Sequence, residues 1–146
     1  MTISKSTKSY INTSQKIRTI IRQMINGGYC LVISENSSTF SFIKSILTNN
    51  NITTNLANFT YSSRLIKKDA NHIISIVFDI DKNSYMKAMN IIKMIEKDYL
   101  QIPYIILTDN SDVYSWISNR YPKVNIMIKE EDMSTLIDAL GVANCA

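Results

Sequence analysis

Four apolar runs in this chain end on side chains that can do chemistry. Cys30-Leu31-Val32-Ile33 leads through Ser34 to Glu35, and Ile73–Phe78 leads to Asp79. Tyr104–Leu107 leads to Thr108, and Ile126–Ile128 leads to Lys129. Short runs rich in β-branched residues read as buried strands of a parallel sheet. In open α/β sheets, ligands and reacting groups sit outside the carboxyl ends of such strands. Two acids, a hydroxyl and a lysine at four such ends therefore compose a candidate active site.

The elements between these runs alternate as that placement requires. Residues 1–11 are polar. From Gln15 to Asn26, Ile17, Ile20, Ile21, Met24 and Ile25 recur at helical spacing, with Asn12, Thr13 and Ser14 as cap candidates and Gly27-Gly28 as a stop. Strands are expected over Tyr29–Ser34, Ile52–Phe59 (less apolar, so nearer an edge), His72–Ile80, Ile102–Leu107 and Val124–Ile128. Helices are expected over Ser37–Thr48, Ser62–Ala70, Tyr85–Leu100, Val113–Asn119 and Met133–Leu140. In the longest of these, Met86, Met89, Ile92, Met94 and Ile95 are the core candidates, and Asp109 and Asp112 are expected to cap the helix after Thr108. Strands alternating with helices argue for an α/β fold. The fold expected is a flavodoxin-like (βα)5 three-layer domain with a five-stranded parallel sheet in the order 2-1-3-4-5. An extra N-terminal amphipathic helix precedes it, so the chain divides into a basic arm and helix (1–28) and one domain (29–146).

Composition narrows the function classes. At 146 residues, 45% hydrophobic and 19% charged, the chain is long enough for one self-sufficient core. The net charge of +4 is uneven, because residues 1–28 hold five basic residues and no acid. That arm can meet a nucleic acid or an acidic surface, although a solvated helix face is the commoner meaning of such a run. Two cysteines, Cys30 and Cys145, give neither a disulfide framework nor metal spacing. No secretory signal and no stretch near the ~20 apolar residues of a membrane span is present, so a cytoplasmic protein is expected. Gly-rich phosphate loops are absent, which sets aside a small-molecule reading such as flavin binding.

The four strand ends resemble the receiver domain of bacterial response regulators over roughly residues 29–141. Ile76-Val77-Phe78-Asp79-Ile80-Asp81 resembles the family's phosphoacceptor segment, with Lys82 and Asn83 where Met-Pro is usual. Pro103-Tyr104-Ile105-Ile106-Leu107-Thr108 follows the family's fourth strand, and Lys129 stands where its lysine falls. Ser34-Glu35 replaces the usual pair of acids, Ile126 takes the aromatic switch position, and Glu130 replaces the proline.

The resemblance implies Asp79 as the phosphoacceptor, Glu35 and Asp79 as ligands of Mg²⁺, and Thr108 and Lys129 as contacts to the phosphoryl oxygens. A carboxylate attacking a phosphoryl group brings anions together, and a divalent cation has to neutralise them. Mg²⁺ takes oxygen ligands, commonly one or two carboxylates with waters. With Ser34 in place of an acid, the expectation is weak Mg²⁺ binding or no cofactor at all. Ile126 cannot replace an aromatic relay.

The leading expectation is thus a degenerate, non-enzymatic receiver acting in bacterial signalling or gene regulation by binding a protein partner or itself. Tyr114, Trp116 and Ile126 are its candidate interface residues. The alternatives are a working single-domain response regulator phosphorylated on Asp79, and the receiver-like half of a transcriptional regulator. Direct nucleic-acid contact is the weaker expectation, through the basic N-terminal segment, and no membrane partner is expected.

Overall fold

The computed structural model describes residues 27–49, 51–121 and 126–128. The helix expected over Gln15–Asn26, Lys129 and the helix expected over Met133–Leu140 lie outside the described residues. In chain order the elements are β1 (Tyr29–Ile33), α1 (Ser37–Thr48), β2 (Thr54–Ala57), α2 (Phe59–Asp69), a 3-10 turn (Ala70–His72) and β3 (Ile73–Asp79). Then come α3 (Tyr85–Asp98), β4 (Tyr104–Thr108), α4 (Ser111–Arg120) and β5 (Ile126–Ile128). The strands pair in parallel in the order β2-β1-β3-β4-β5. The expectation of an α/β fold on a parallel sheet holds.

Side chains alternate across the strands, and that alternation builds two cores. Leu31 and Ile33 of β1, Ile76 and Phe78 of β3, and Tyr104 and Ile106 of β4 pack with residues of α2, α3 and α4. Their neighbours Cys30, Val32, Val77, Ile105 and Leu107 pack on the other face with Ile43 and Leu47 of α1. All seven residues of β3 are buried, as a central strand covered on both sides requires. Phe78 anchors this strand edge-on to Tyr104, with ring centroids 5.7 Å apart.

Several element boundaries differ from the sequence expectation. The edge strand β2 is shorter than Ile52–Phe59. Helix α2 starts at Phe59 rather than Ser62, because Asn58 caps it by accepting from the Tyr61 N–H at 2.7 Å. His72 sits in the 3-10 turn, not in the strand. The cap of α4 is Asn110, which accepts from the Val113 N–H at 3.0 Å, rather than Asp109 or Asp112. Asn36 caps α1 in the same way through the Ser38 N–H. Three asparagines thus turn three strands into three helices at the carboxyl edge of the sheet. Met86, a core candidate from its periodicity, is 68% exposed in the first turn of α3.

Candidate functional site

The carboxyl ends of β1, β3 and β4 bring Ser34, Asp79 and Thr108 to one edge of the sheet. Ile33 pairs with Phe78, and Asp79 pairs with Leu107, the residue before Thr108. All three polar side chains are buried. The Ser34 hydroxyl donates to Asp79 Oδ2 at 2.6 Å, a buried bond, and Ser34 Oγ accepts from the Asn36 N–H at 2.9 Å. The length is that of a charge-assisted O–H···O⁻ bond. The Asn36 carbonyl lies farther from the same hydroxyl, at 3.2 Å, so the proton goes to the carboxylate. Thr108 Oγ1 accepts from the Asn110 N–H at 3.1 Å, which ties the β4 end to the cap of α4.

Glu35 is directed elsewhere. Its Oε2 accepts from the backbone N–H of Phe59 at 2.7 Å. That N–H belongs to the first turn of α2, where donors lack intrahelical partners and the helix dipole favours a negative charge. The acid next to Ser34 therefore fastens the β1–α1 loop to α2.

Asp81, two residues past Asp79, is held in a closed turn with Ser84. Asp81 Oδ1 accepts from the Ser84 N–H at 2.9 Å and from its hydroxyl at 3.1 Å, and the Asp81 N–H donates to Ser84 Oγ at 3.0 Å. This turn stops the loop at the start of α3. Lys82 pairs with Asp112 of α4 at 3.1 Å, with both side chains more than half exposed. Such a pair contributes little stability on its own.

A divalent cation needs lone pairs aimed at it. The Ser34 proton points at Asp79, and the Glu35 oxygen points at a backbone N–H. As arranged, one oxygen of each carboxylate that the family resemblance implies as a Mg²⁺ ligand, Asp79 Oδ2 and Glu35 Oε2, is engaged within the protein. Among the described residues, no cluster of three or more His, Cys, Asp or Glu is placed to hold a metal ion.

The remaining candidates lie as follows. Trp116 is 43% exposed and meets Tyr85 of α3 edge-on, with centroids 5.1 Å apart. Tyr114 is half-buried, and Ile126 is buried in the core on the α2–α4 side. Lys129 lies outside the described residues. The residues that sequence reasoning missed are Asn36, Asn58 and Asn110. Their signal was present, since asparagine before a helical run is a preferred N-cap. The partner of Glu35 carried no local signal, because Phe59 is far along the chain.

No model of a protein family matches the chain, and no curated protein matches it. Solved structures do. A response regulator receiver domain protein from Clostridium thermocellum aligns with a TM-score of 0.66 and 23% identity, covering 77% of this chain and 90% of that one. SdrG from Pseudomonas melonis Fr1, in its BeF3-activated conformation, aligns with a TM-score of 0.58 and 16% identity, covering 77% and 92%. The chain carries the receiver-domain fold. No described helix is long and apolar enough to cross a membrane.

Proposed function

We propose that this chain is an atypical receiver-like signalling module that works by binding a protein partner or a second copy of itself. It acts without efficient phosphorylation and without enzymatic activity of its own. Its fold is a five-stranded flavodoxin-like (βα)5 domain to which an N-terminal amphipathic helix has been added, and its setting is cytoplasmic and bacterial. Trp116 and Tyr114 are its candidate contact residues.

The observation that carries this reading is the Ser34–Asp79 hydrogen bond at 2.6 Å. A hydroxyl proton occupies the side of Asp79 on which a receiver relies for its second acid. It stabilises the carboxylate charge, and the Glu35 carboxylate is committed to α2. An incoming phosphoryl group would meet Asp79 with a serine hydroxyl where a receiver has the second acid that helps hold the cation such a transfer needs.

One observation favours a second reading, that Asp79 is a working phosphoacceptor. Thr108 is fully buried on the neighbouring strand, at the position from which a receiver threonine contacts the phosphoryl group. Intact-mass measurement after incubation with acetyl phosphate and Mg²⁺ separates the two. An unchanged mass is expected. Stoichiometric addition that disappears in Asp79→Asn would establish the phosphoacceptor instead.

A further inference from the structure

The part of the chain after residue 28 is nearly neutral by count, with eleven basic and twelve acidic residues. The structure separates the signs. Six of those basic residues stand exposed on α2 and α3: Arg64, Lys67, Lys68, Lys87, Lys93 and Lys97. The two helices lie on the same side of the sheet, and Lys87 Nζ reaches Thr60 Oγ1 of α2 at 3.5 Å. Among the described residues none of the six is in an ion pair. Of the three acids on these helices, Asp69 is engaged by Tyr29 and His72, Glu96 accepts from the Tyr104 hydroxyl at 2.9 Å, and Asp98 stands exposed as the last residue of α3. By contrast Glu35, Asp79, Asp81, Asp109 and Asp112 follow the carboxyl ends of the strands.

Helix energetics explain part of this. Lys67, Lys68 and Lys97 lie in last turns, where the helix dipole favours a cation. The dipole does not call for Arg64, Lys87 or Lys93. It also leaves Arg64 and Lys68, and Lys93 and Lys97, as like-charge pairs four residues apart, which oppose their own helices. An anionic partner would relieve both pairs at once.

The chemistry of the face decides which anion fits. Protein interfaces deplete lysine and gather aromatics at their centre. Here cations run along both helices, and the exposed Tyr61 and Met86 stand in the first turns only. Thr60, Tyr61 and Asn90 add hydrogen-bonding side chains of the kind that contact phosphates. We propose that the α2–α3 face binds the sugar–phosphate backbone of a nucleic acid without reading its bases. This proposal stands apart from the fate of Asp79.

The test is fluorescence anisotropy of the full chain with a labelled mixed-sequence DNA duplex over a range of salt. Binding is expected at low salt, with log K falling linearly against log salt by about 0.9 for each phosphate neutralised. The triple variant Arg64→Gln, Lys68→Gln, Lys93→Gln should lose roughly tenfold or more in affinity and flatten that slope by about two to three units. Its melting temperature should hold or rise, because the like-charge pairs are gone. If that variant does not fold, the pair Lys93→Gln and Lys97→Gln on α3 alone should show the same direction of change. Absence of binding at low salt would overturn the proposal. So would variants that bind like the wild type, since the basic N-terminal segment would then carry the interaction. Poly-glutamate competing as well as unlabelled duplex at equal charge would also overturn it, and would assign the face to an acidic protein segment.

Discussion

Strand β1 is fastened at both ends by the same kind of bond, and the two ends differ in what that bond does. At the amino end the Tyr29 hydroxyl donates to Asp69 Oδ2 at 2.6 Å. At the carboxyl end the Ser34 hydroxyl donates to Asp79 Oδ2, also at 2.6 Å. The Asp69 side chain is 33% exposed, and its other oxygen meets His72 Nδ1 at 3.0 Å. That end ties β1 to the end of α2, within reach of water. Asp79 is 7% exposed and stands near Thr108 at the carboxyl edge of the sheet. One hydroxyl–carboxylate bond is a partly solvated fastener, and the other is buried at the carboxyl edge of the sheet. Burial and neighbours, not the bond itself, make the difference.

The largest expected effect comes from Ser34→Ala. It removes a buried hydroxyl donor from the Asp79 carboxylate, at a cost of about 2–3 kcal/mol. Urea denaturation measures it, and a loss below about 0.5 kcal/mol would mean that the two ends are energetically alike. Tyr29→Phe should cost less, about 1 kcal/mol, because water can replace the phenol at Asp69, whose side chain is one-third exposed. A loss larger than that of Ser34→Ala would invert the comparison.

Alkaline pH sharpens the contrast. Burial, then the hydrogen bond and charge of Asp69, raises the Tyr29 phenol well above its ordinary range. Burial pushes the Cys30 thiol up to about 12. Both folded values are raised above the unfolded ones, so the stability they carry is complete at neutral pH. It is lost as pH climbs past the unfolded values, about 8.5 for a thiol and about 10 for a phenol. Melting temperature against pH should therefore fall above about 8.5–9, less steeply in Tyr29→Phe, and with unchanged steepness in Ser34→Ala. The smallest effect is expected from Glu35→Ala, about 0.5–1 kcal/mol, as for loss of a helix cap. Hydrogen exchange should localise it to the first turn of α2, and protection lost at the end of β3 instead would place Glu35 with Asp79.

The central strand and both cores were legible because β-branched runs such as Ile73–Phe78 have one reading. The start of α2 was not, since Phe59-Thr60-Tyr61 has the composition of a strand and becomes helical through Asn58 and the distant Glu35. Met86 has the right periodicity for the core, yet it sits in the first turn of α3 and stays exposed. At the site, the missing acid at Ser34 could be read directly. That its hydroxyl meets Asp79, and that Glu35 turns to α2, are tertiary facts with no local signature.

Thermal melting of the wild type and of Ser34→Asp across a Mg²⁺ titration tests most directly whether Ser34 stands where a cation would be needed. A ligand that binds only the folded state raises stability by RT ln(1 + [L]/Kd). The wild type should melt at the same temperature throughout. Ser34→Asp should melt lower without Mg²⁺, because two carboxylates then face each other, and should recover as Mg²⁺ is added. A wild-type melting temperature that climbs with Mg²⁺ as far as the variant's would contradict the proposal that Ser34 weakens cation binding at Asp79.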